Sequence, residues 1–231
     1  MSQISIIIPA LNEAESIGRV VAQMPWEQIA ECLVVDNGST DATASIATAA
    51  GARVIHSPRG YGSAMLAGSK AALPESDVLV FMDGDGSDVV TDLRRLIDPI
   101  LENKADFVIG SRVRGKREPG SMLLSQLLAA HVVGTVLRIF QGVTYTDMGA
   151  FRAIRRTSLE GLHMSELTYG WNLEMQIKAS QLGLRILEIP VDYRVRFGGV
   201  SKVAGDWRAS TKAAVRIIEV LVRVGLRRRI V

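Results

Sequence analysis

Val78-Leu79-Val80-Phe81-Met82-Asp83-Gly84-Asp85 decides how this chain is read. Five consecutive apolar residues form a strand covered on both faces, and the run stops at a carboxylate. Two carboxylates one residue apart at the end of a buried strand can hold a divalent cation. Mg²⁺ and Mn²⁺ prefer oxygen ligands and usually share them with phosphates. Gly84 and Gly86 let the backbone come close to a ligand. In isolation Asp-Gly-Asp also suits a solvated turn, with Asp88 capping the next helix, so the flanking chain has to decide.

Upstream the same pattern recurs. Ile4–Ile8 reads as a buried strand, followed by Asn12-Glu13 and a helix from about Ala14 to Met24. Leu33-Val34-Val35 is a second strand ending at Asp36. After the turn Asn37-Gly38-Ser39, residues Ser39 to Asp41 can cap a helix through Ala50. Val54-Ile55 is a short strand. Arg59-Gly60-Tyr61-Gly62 is a loop before a small-residue helix to Ala72, and it lacks the full spacing of a phosphate-binding loop. Downstream, Phe107–Ile109 runs into Gly110-Ser111-Arg112. Strands alternating with helices predict an α/β fold, a mainly parallel central sheet flanked by helices. Ligands of such sheets lie beyond the carboxyl ends of the strands, where Asp36, Asp83 and Arg112 all stand.

A chain of 231 residues allows one large domain, or one with an appendage. Its single cysteine, Cys32, excludes an internal disulfide, and three histidines argue against histidine-rich zinc chemistry. Met1–Ile8 has no basic leader, so no signal peptide is expected, and no run of about 18 residues is free of polar interruption. The net charge of +3 hides an asymmetry: from Asp192 onward ten Lys/Arg face three Asp/Glu, whereas the preceding residues carry 17 against 21. Such a tail suits an anionic partner. Nucleic acid is not expected, because only Phe197 and Trp207 interleave with the basic residues.

Met122–Phe140 is strongly apolar with a polar stripe at His131, Thr135 and Arg138; Lys212, Arg216, Glu219, Arg223 and Arg227 draw a second stripe. Helices of this kind pack in a core, against another subunit as in a homo-oligomer, or in a membrane interface. Arg194, Arg196, Ser201 and Lys202 surround Gly198-Gly199, a loop that can close over phosphates. Asp147, Glu174 and Tyr169 are the remaining candidates, Glu174 as a base if it is buried on a helix.

Together these segments resemble family 2 glycosyltransferases of the GT-A fold. The match is carried by Ile6-Ile7-Ile8-Pro9-Ala10-Leu11-Asn12-Glu13, Val35 to Asp41, Met82 to Asp85, Gly110-Ser111-Arg112, Asp147 to Arg152, and Arg196 through Ser201-Lys202, in the expected order. Within the family the chain looks most like the dolichyl-phosphate mannose synthase branch, which moves a sugar from a nucleotide donor to a polyprenyl phosphate. The resemblance implies that Pro9, Ala10, Leu11 and Glu13 line the nucleoside pocket and that Asp36 contacts the base. It makes Asp83, Gly84 and Asp85 the metal motif with Asp85 the main ligand, sets Arg112 near a donor or acceptor phosphate, and lets Arg196 and Lys202 grip the diphosphate. Leu11 stands where many relatives have tyrosine, Ser87 where the lipid-linked branch often has glutamine, and Ser125–His131 lacks the basic residue many relatives carry.

The expectation is a catalytic domain over 1–203, with a nucleotide-binding half 1–112 and an acceptor-binding half 113–203, and a basic amphipathic helix over 204–231. Mg²⁺ or Mn²⁺ would stabilise the departing nucleoside diphosphate of a UDP- or GDP-sugar while the acceptor attacks with inversion. A phosphate acceptor needs no base; a hydroxyl acceptor would need one, Asp147 or Glu174. The amphipathic helices would hold a cytoplasmic enzyme on the membrane's cytoplasmic face or join two copies. Rival readings are a soluble enzyme acting on a hydroxyl, a nucleotide-sugar sensor, which would dispense with the Asp pair, and a nucleotidyltransferase, whose first loop should be glycine-rich and basic.

Overall fold

The computed structural model describes residues 3–199, 215–216 and 218–225. Seven strands form one sheet: β1 (Gln3–Ala10), β2 (Glu31–Asp36), β3 (Arg53–His56), β4 (Ser76–Phe81), β5 (Phe107–Ser111), β6 (Arg152–Arg155) and β7 (Ile186–Pro190), in the order β3-β2-β1-β4-β6-β5-β7. β1 pairs parallel with β2 and β4, β2 with β3, and β5 with β7. β6 alone runs against its neighbours β4 and β5. Six strands therefore point their carboxyl ends at one edge, and β6 begins there.

The unbroken apolar runs of β1, β2 and β4 follow from burial on both faces. On one face Ile4, Ile6, Ile8, Val34, Val78, Val80 and Val108 meet helices α1 (Ile17–Ala22), α2 (Thr43–Ala49) and α4 (Leu93–Leu101). On the other, Ile7, Leu33, Val35, Leu79, Phe81, Phe107 and Ile109 meet α3 (Tyr61–Ala71), α5 (Leu124–Gln141), α6 (Arg156–Gly161) and α7 (Trp171–Gln181). Each such side chain removed from water contributes about 1.5–3 kcal/mol. The strand periodicity of two puts odd and even residues of one strand into different cores, which is why neither face can slip.

The first helix starts three residues later than expected, at Ile17. Asp41 is committed to capping, since its Oδ1 accepts the Thr43 N–H at 3.0 Å. α5 buries Ala130, Val133 and Leu137 but leaves Leu124 (85 % exposed), Leu128 (64 %) and Ile139 (71 %) outside. The C-terminal stripe has a direction among the described residues. Arg216 Nε and Arg223 Nη2 turn inward to buried Glu166, at 3.0 and 2.7 Å, while Val215, Ile218 and Val222 face outward. Lys212 and Arg227-Arg228-Arg229 lie outside the described residues. Among the described residues no helix is long and apolar enough to cross a membrane.

Candidate active site

The carboxyl edge of the sheet collects the functional side chains. Ala10 is registered against Asp36 across β1 and β2, and β4 delivers Asp83 alongside. Because β1 has β2 on one side and β4 on the other, the crevice opens where successive strands leave in opposite directions, the usual position for a nucleotide.

Pro9, Ala10 and Leu11 stand at the carboxyl end of β1, Ala10 buried and Pro9 and Leu11 half-buried. Asn12, with φ of 51°, staples the first loop to the second: its N–H donates to Ser39 Oγ at 3.0 Å and its Oδ1 accepts the Thr40 N–H at 2.8 Å. Asp36 is buried and held rigid, with Oδ1 accepting the Ser39 N–H at 3.0 Å and Oδ2 lying 3.2 Å from His56 Nδ1.

Asp83, Asp85 and Asp88 share the loop after β4. Asp88 is not the expected helix cap; its Oδ2 accepts the Asp83 N–H at 3.0 Å. Asp85 Oδ1 accepts both Ser87 N–H (2.9 Å) and Ser87 Oγ–H (2.6 Å), while Oδ2 faces Arg196. Burial, and then the neighbouring Asp88 and Asp85 charges, push the Asp83 carboxyl well above its ordinary value. Burial likewise raises Asp88 to about 7. Arg112 is the cation that pulls both back. This loop thus carries more negative charge than the chain offsets, and its donors are all hard oxygens, a set that fits Mg²⁺ or Mn²⁺. Among the described residues no three acidic, His or Cys side chains enclose an ion by themselves.

The glycines of this loop differ. A Cβ on Gly84 would press on Ile8 and Ile17, so that glycine serves close approach to the core rather than to a ligand. Gly86, at φ +83°, lies under the ring of Phe197, and a Cβ would overlap it. Phe197 is sandwiched between the guanidinium groups of Arg19 (3.9 Å) and Arg194 (4.4 Å). Its N–H donates to Asp85 O, and Arg194 N–H to Ser87 O. The loop after β7 is thereby strapped onto the Asp83–Asp88 loop, and Arg196 Nη2 reaches Glu13 Oε1 at 3.1 Å and Asp85 Oδ2 at 3.4 Å. Lys202 lies outside the described residues.

Asp147 arrives from the loop before β6 and meets Arg112 in three hydrogen bonds of 2.7–2.8 Å. Burial alone would raise its carboxyl, but the Arg112 guanidinium and these bonds outweigh it and hold Asp147 below the ordinary carboxylate range. Glu174 is buried on α7, yet its oxygens accept the Ser165 and Glu166 N–H groups and the Ser165 hydroxyl, and Lys178 Nζ stands 2.9 Å away. Burial is again outweighed, and Glu174 too is held low. The structure brings Glu174 to the 165–166 turn, which it caps, rather than to the crevice. Tyr169 is exposed. Asp88 and Tyr193 were missed: the first hides in an Asp-x-Asp-x-x-Asp pattern that also spells a cap, and the second shows no motif.

Residues 5–162 match the family described as Glycosyl transferase family 2. The chain is 37 % identical over 224 residues to an uncharacterized glycosyltransferase of Mycobacterium tuberculosis, covering 94 % of this chain and 97 % of the relative. It is 34 % identical over 219 residues to the undecaprenyl-phosphate mannosyltransferase of Micrococcus luteus, covering 86 % of each. The crystal structure of glucosyl-3-phosphoglycerate synthase from M. tuberculosis, with Mn²⁺, UDP-glucose and phosphoglyceric acid, superposes with a TM-score of 0.78 at 23 % identity, covering 97 % of this chain and 80 % of that one. At that identity the likeness speaks for the fold.

Proposed function

The chain belongs to glycosyltransferase family 2, and from that premise we propose that it transfers a sugar from a nucleoside-diphosphate sugar to a polyprenyl phosphate. Pro9, Ala10, Leu11 and Asp36 receive the nucleoside. Asp83 and Asp85 hold a divalent cation against the diphosphate. A bound Mg²⁺ or Mn²⁺ supplies Lewis-acid charge to the departing diphosphate. Arg196 is drawn to the same place by Glu13 and Asp85, and exchanges those partners for phosphate oxygens when the donor enters. Each oriented contact of this kind is worth about 3–4 kcal/mol at the barrier.

One observation favours an anionic acceptor: Asp147 and Glu174 both have their oxygens engaged and their proton affinities lowered. Neither is free to deprotonate a hydroxyl, whereas a phosphate oxygen arrives already ionised. It attacks C1 from the face opposite the diphosphate and inverts that centre. The likeness to an undecaprenyl-phosphate mannosyltransferase supports the same acceptor. The exposed apolar residues of α5 (Leu124, Leu128, Ile139) and of the C-terminal segment (Val215, Ile218, Val222) suit a lipid surface that would deliver it.

The test is donor consumption with UDP- and GDP-sugars and Mn²⁺, with and without undecaprenyl phosphate, alongside flotation of the protein with anionic vesicles. Turnover that requires the lipid phosphate and is lost in Asp85→Ala supports the reading. Equal turnover on a free sugar hydroxyl, or full activity of Asp85→Ala, overturns it.

A further inference from the structure

Arg112 is the half-buried cation whose charge acts on the carboxylate loop, pulling on both Asp83 and Asp88, yet a long side chain on a loop has no fixed direction of its own. Three neighbours give it one. Asp147 Oδ2 accepts the Arg112 backbone N–H and Nε–H, both at 2.8 Å, and Oδ1 accepts Nη2–H at 2.7 Å. The Tyr193 ring lies 5.0 Å from the guanidinium carbon. Gly149 leaves the room that the guanidinium fills, since a Cβ there would stand 3.2 Å from Arg112 Nε.

Asp147 is itself anchored from behind. Its Oδ1 also accepts the Met148 N–H at 2.7 Å, its N–H donates to Glu188 Oε1 at 3.2 Å, and its carbonyl accepts Gln176 Nε2–H at 2.9 Å. Four donors therefore occupy two carboxylate oxygens of a side chain that is 0 % exposed, so no lone pair is left to take a substrate proton. Arg112, by contrast, keeps 16 % exposure, and its Nη1 makes no hydrogen bond among the described residues.

We propose that Asp147 and Tyr193 are positioning residues that lock Arg112 between a carboxylate edge and an aromatic face, so that its Nη1 edge meets the phosphate of the acceptor. This rests on the lipid-phosphate reading above. A guanidinium held by one edge presents the other in a defined plane, which lowers the entropy lost when a phosphate docks. Tyr193 also ties the arrangement to the metal loop, because its segment bridges to Asp88 and its N–H and C=O pair with Lys116 O and Glu118 N–H.

Steady-state kinetics with undecaprenyl phosphate on Asp147→Asn, Tyr193→Leu, Arg112→Lys and the Arg112→Lys/Asp147→Asn pair test this. Asp147→Asn should raise the acceptor KM about tenfold, with UDP or GDP binding in Mn²⁺ changed less than twofold and the pH profile of kcat unmoved. Tyr193→Leu should raise the same KM about threefold, the scale of one cation–π contact. The double variant should be no worse than Arg112→Lys alone, because the lock has nothing left to hold. A fall of about a hundredfold or more in kcat with unchanged acceptor KM, together with loss of one ionisation from the pH profile, would make Asp147 a base and overturn the proposal. If Asp147→Asn fails to fold, Tyr193→Leu carries the same KM-against-kcat test. The Arg112 Nε–H resonance separates the two readings: if the free protein shows it slow to exchange, and only in the presence of Asp147, while no lipid phosphate is consumed, the acceptor is wrong and the lock stands. If that resonance is unaffected by Asp147→Asn, the lock is refuted.

Discussion

Replacing Asp88 by asparagine should stabilise the metal-free protein, and the gain should grow with pH. Asp88 releases its proton near 3.8 in an unfolded chain and near 7 in the folded one, chiefly because it is buried. Each tenfold change in proton affinity corresponds to about 1.4 kcal/mol, so keeping Asp88 ionised above pH 7 costs the fold about 4 kcal/mol. Asp83 is pushed the same way and shares the burden. Between these two values the folded state holds more protons than the unfolded one. Stability in chelator therefore rises as pH falls from 8 toward 5, and is lost as pH climbs through 7. The carboxylates held low, such as Asp147, Glu166 and Glu174, act in the opposite sense and only below about pH 4.5, which leaves this window clear. In the Asp88→Asn variant the new amide oxygen can still accept the Asp83 N–H. Thermal or urea unfolding in EDTA from pH 4 to 8.5 is the assay; at about 2–4 °C per kcal/mol for a chain of this size, Asp88→Asn should melt about 10 °C higher than the wild type at pH 8, about 5 °C higher at pH 5, and level with it only near pH 4. Added Mn²⁺ should recover much of the difference for the wild type. A wild-type stability that is flat across this range, or a variant less stable at pH 8, would refute the reasoning that this loop carries uncompensated charge.

Two further outcomes follow from the same geometry. Gly86→Ala forces a side chain into a φ of +83° and against the Phe197 ring; the backbone term alone is about 1–2 kcal/mol, so the strap at 192–199 should lift, seen as faster proteolysis around Arg194 and Arg196 and at least a tenfold loss of transfer rate. Arg223→Ala removes one of two cations from buried Glu166. Since the arginines are partly exposed, the loss should lie between that of a surface pair and a buried one, about 2 kcal/mol, read as a lower melting temperature with site kinetics unchanged.

The strands that lead to the candidate site were legible because full burial leaves no room for polar residues: Ile4–Ile8, Leu33–Val35 and Val78–Phe81 are apolar almost without a break, and each ends at or just before the candidate residues. β7 was not legible. It sits at the sheet edge, half-exposed, and its Glu188 turns to Thr146 and Asp147 rather than to water, so it reads as neither an alternating nor a buried strand. The C-terminal stripe could be seen, but not its direction. Which side of an amphipathic helix faces inward depends here on Glu166, a buried carboxylate about fifty residues earlier that claims Arg216 and Arg223. Glu174 misled for a related reason: burial of a carboxylate suggests a base only when nothing donates to it, and here a turn distant in sequence supplies the donors.

The same distinction explains why Asp36, Asp83 and Arg112 could be grouped from the sequence while the work of Asp147 could not. The rule that ligands gather at carboxyl ends presumes that every strand points the same way. β6 is reversed, pairing antiparallel with β4 and β5, so the residues at the functional edge are those that precede it. A loop entering a strand has no terminal apolar run to mark its last residue, and Asp147 stands five positions before Arg152 with only glycine, alanine, methionine and phenylalanine between. One reversed strand thus places an acidic loop between two outgoing ones, and the carboxylate it brings finds the arginine leaving β5 before it can find a substrate. On the proposal above, that ordering makes Asp147 a brace rather than a base: its carboxylate is already taken by Arg112 at the end of β5, one strand away.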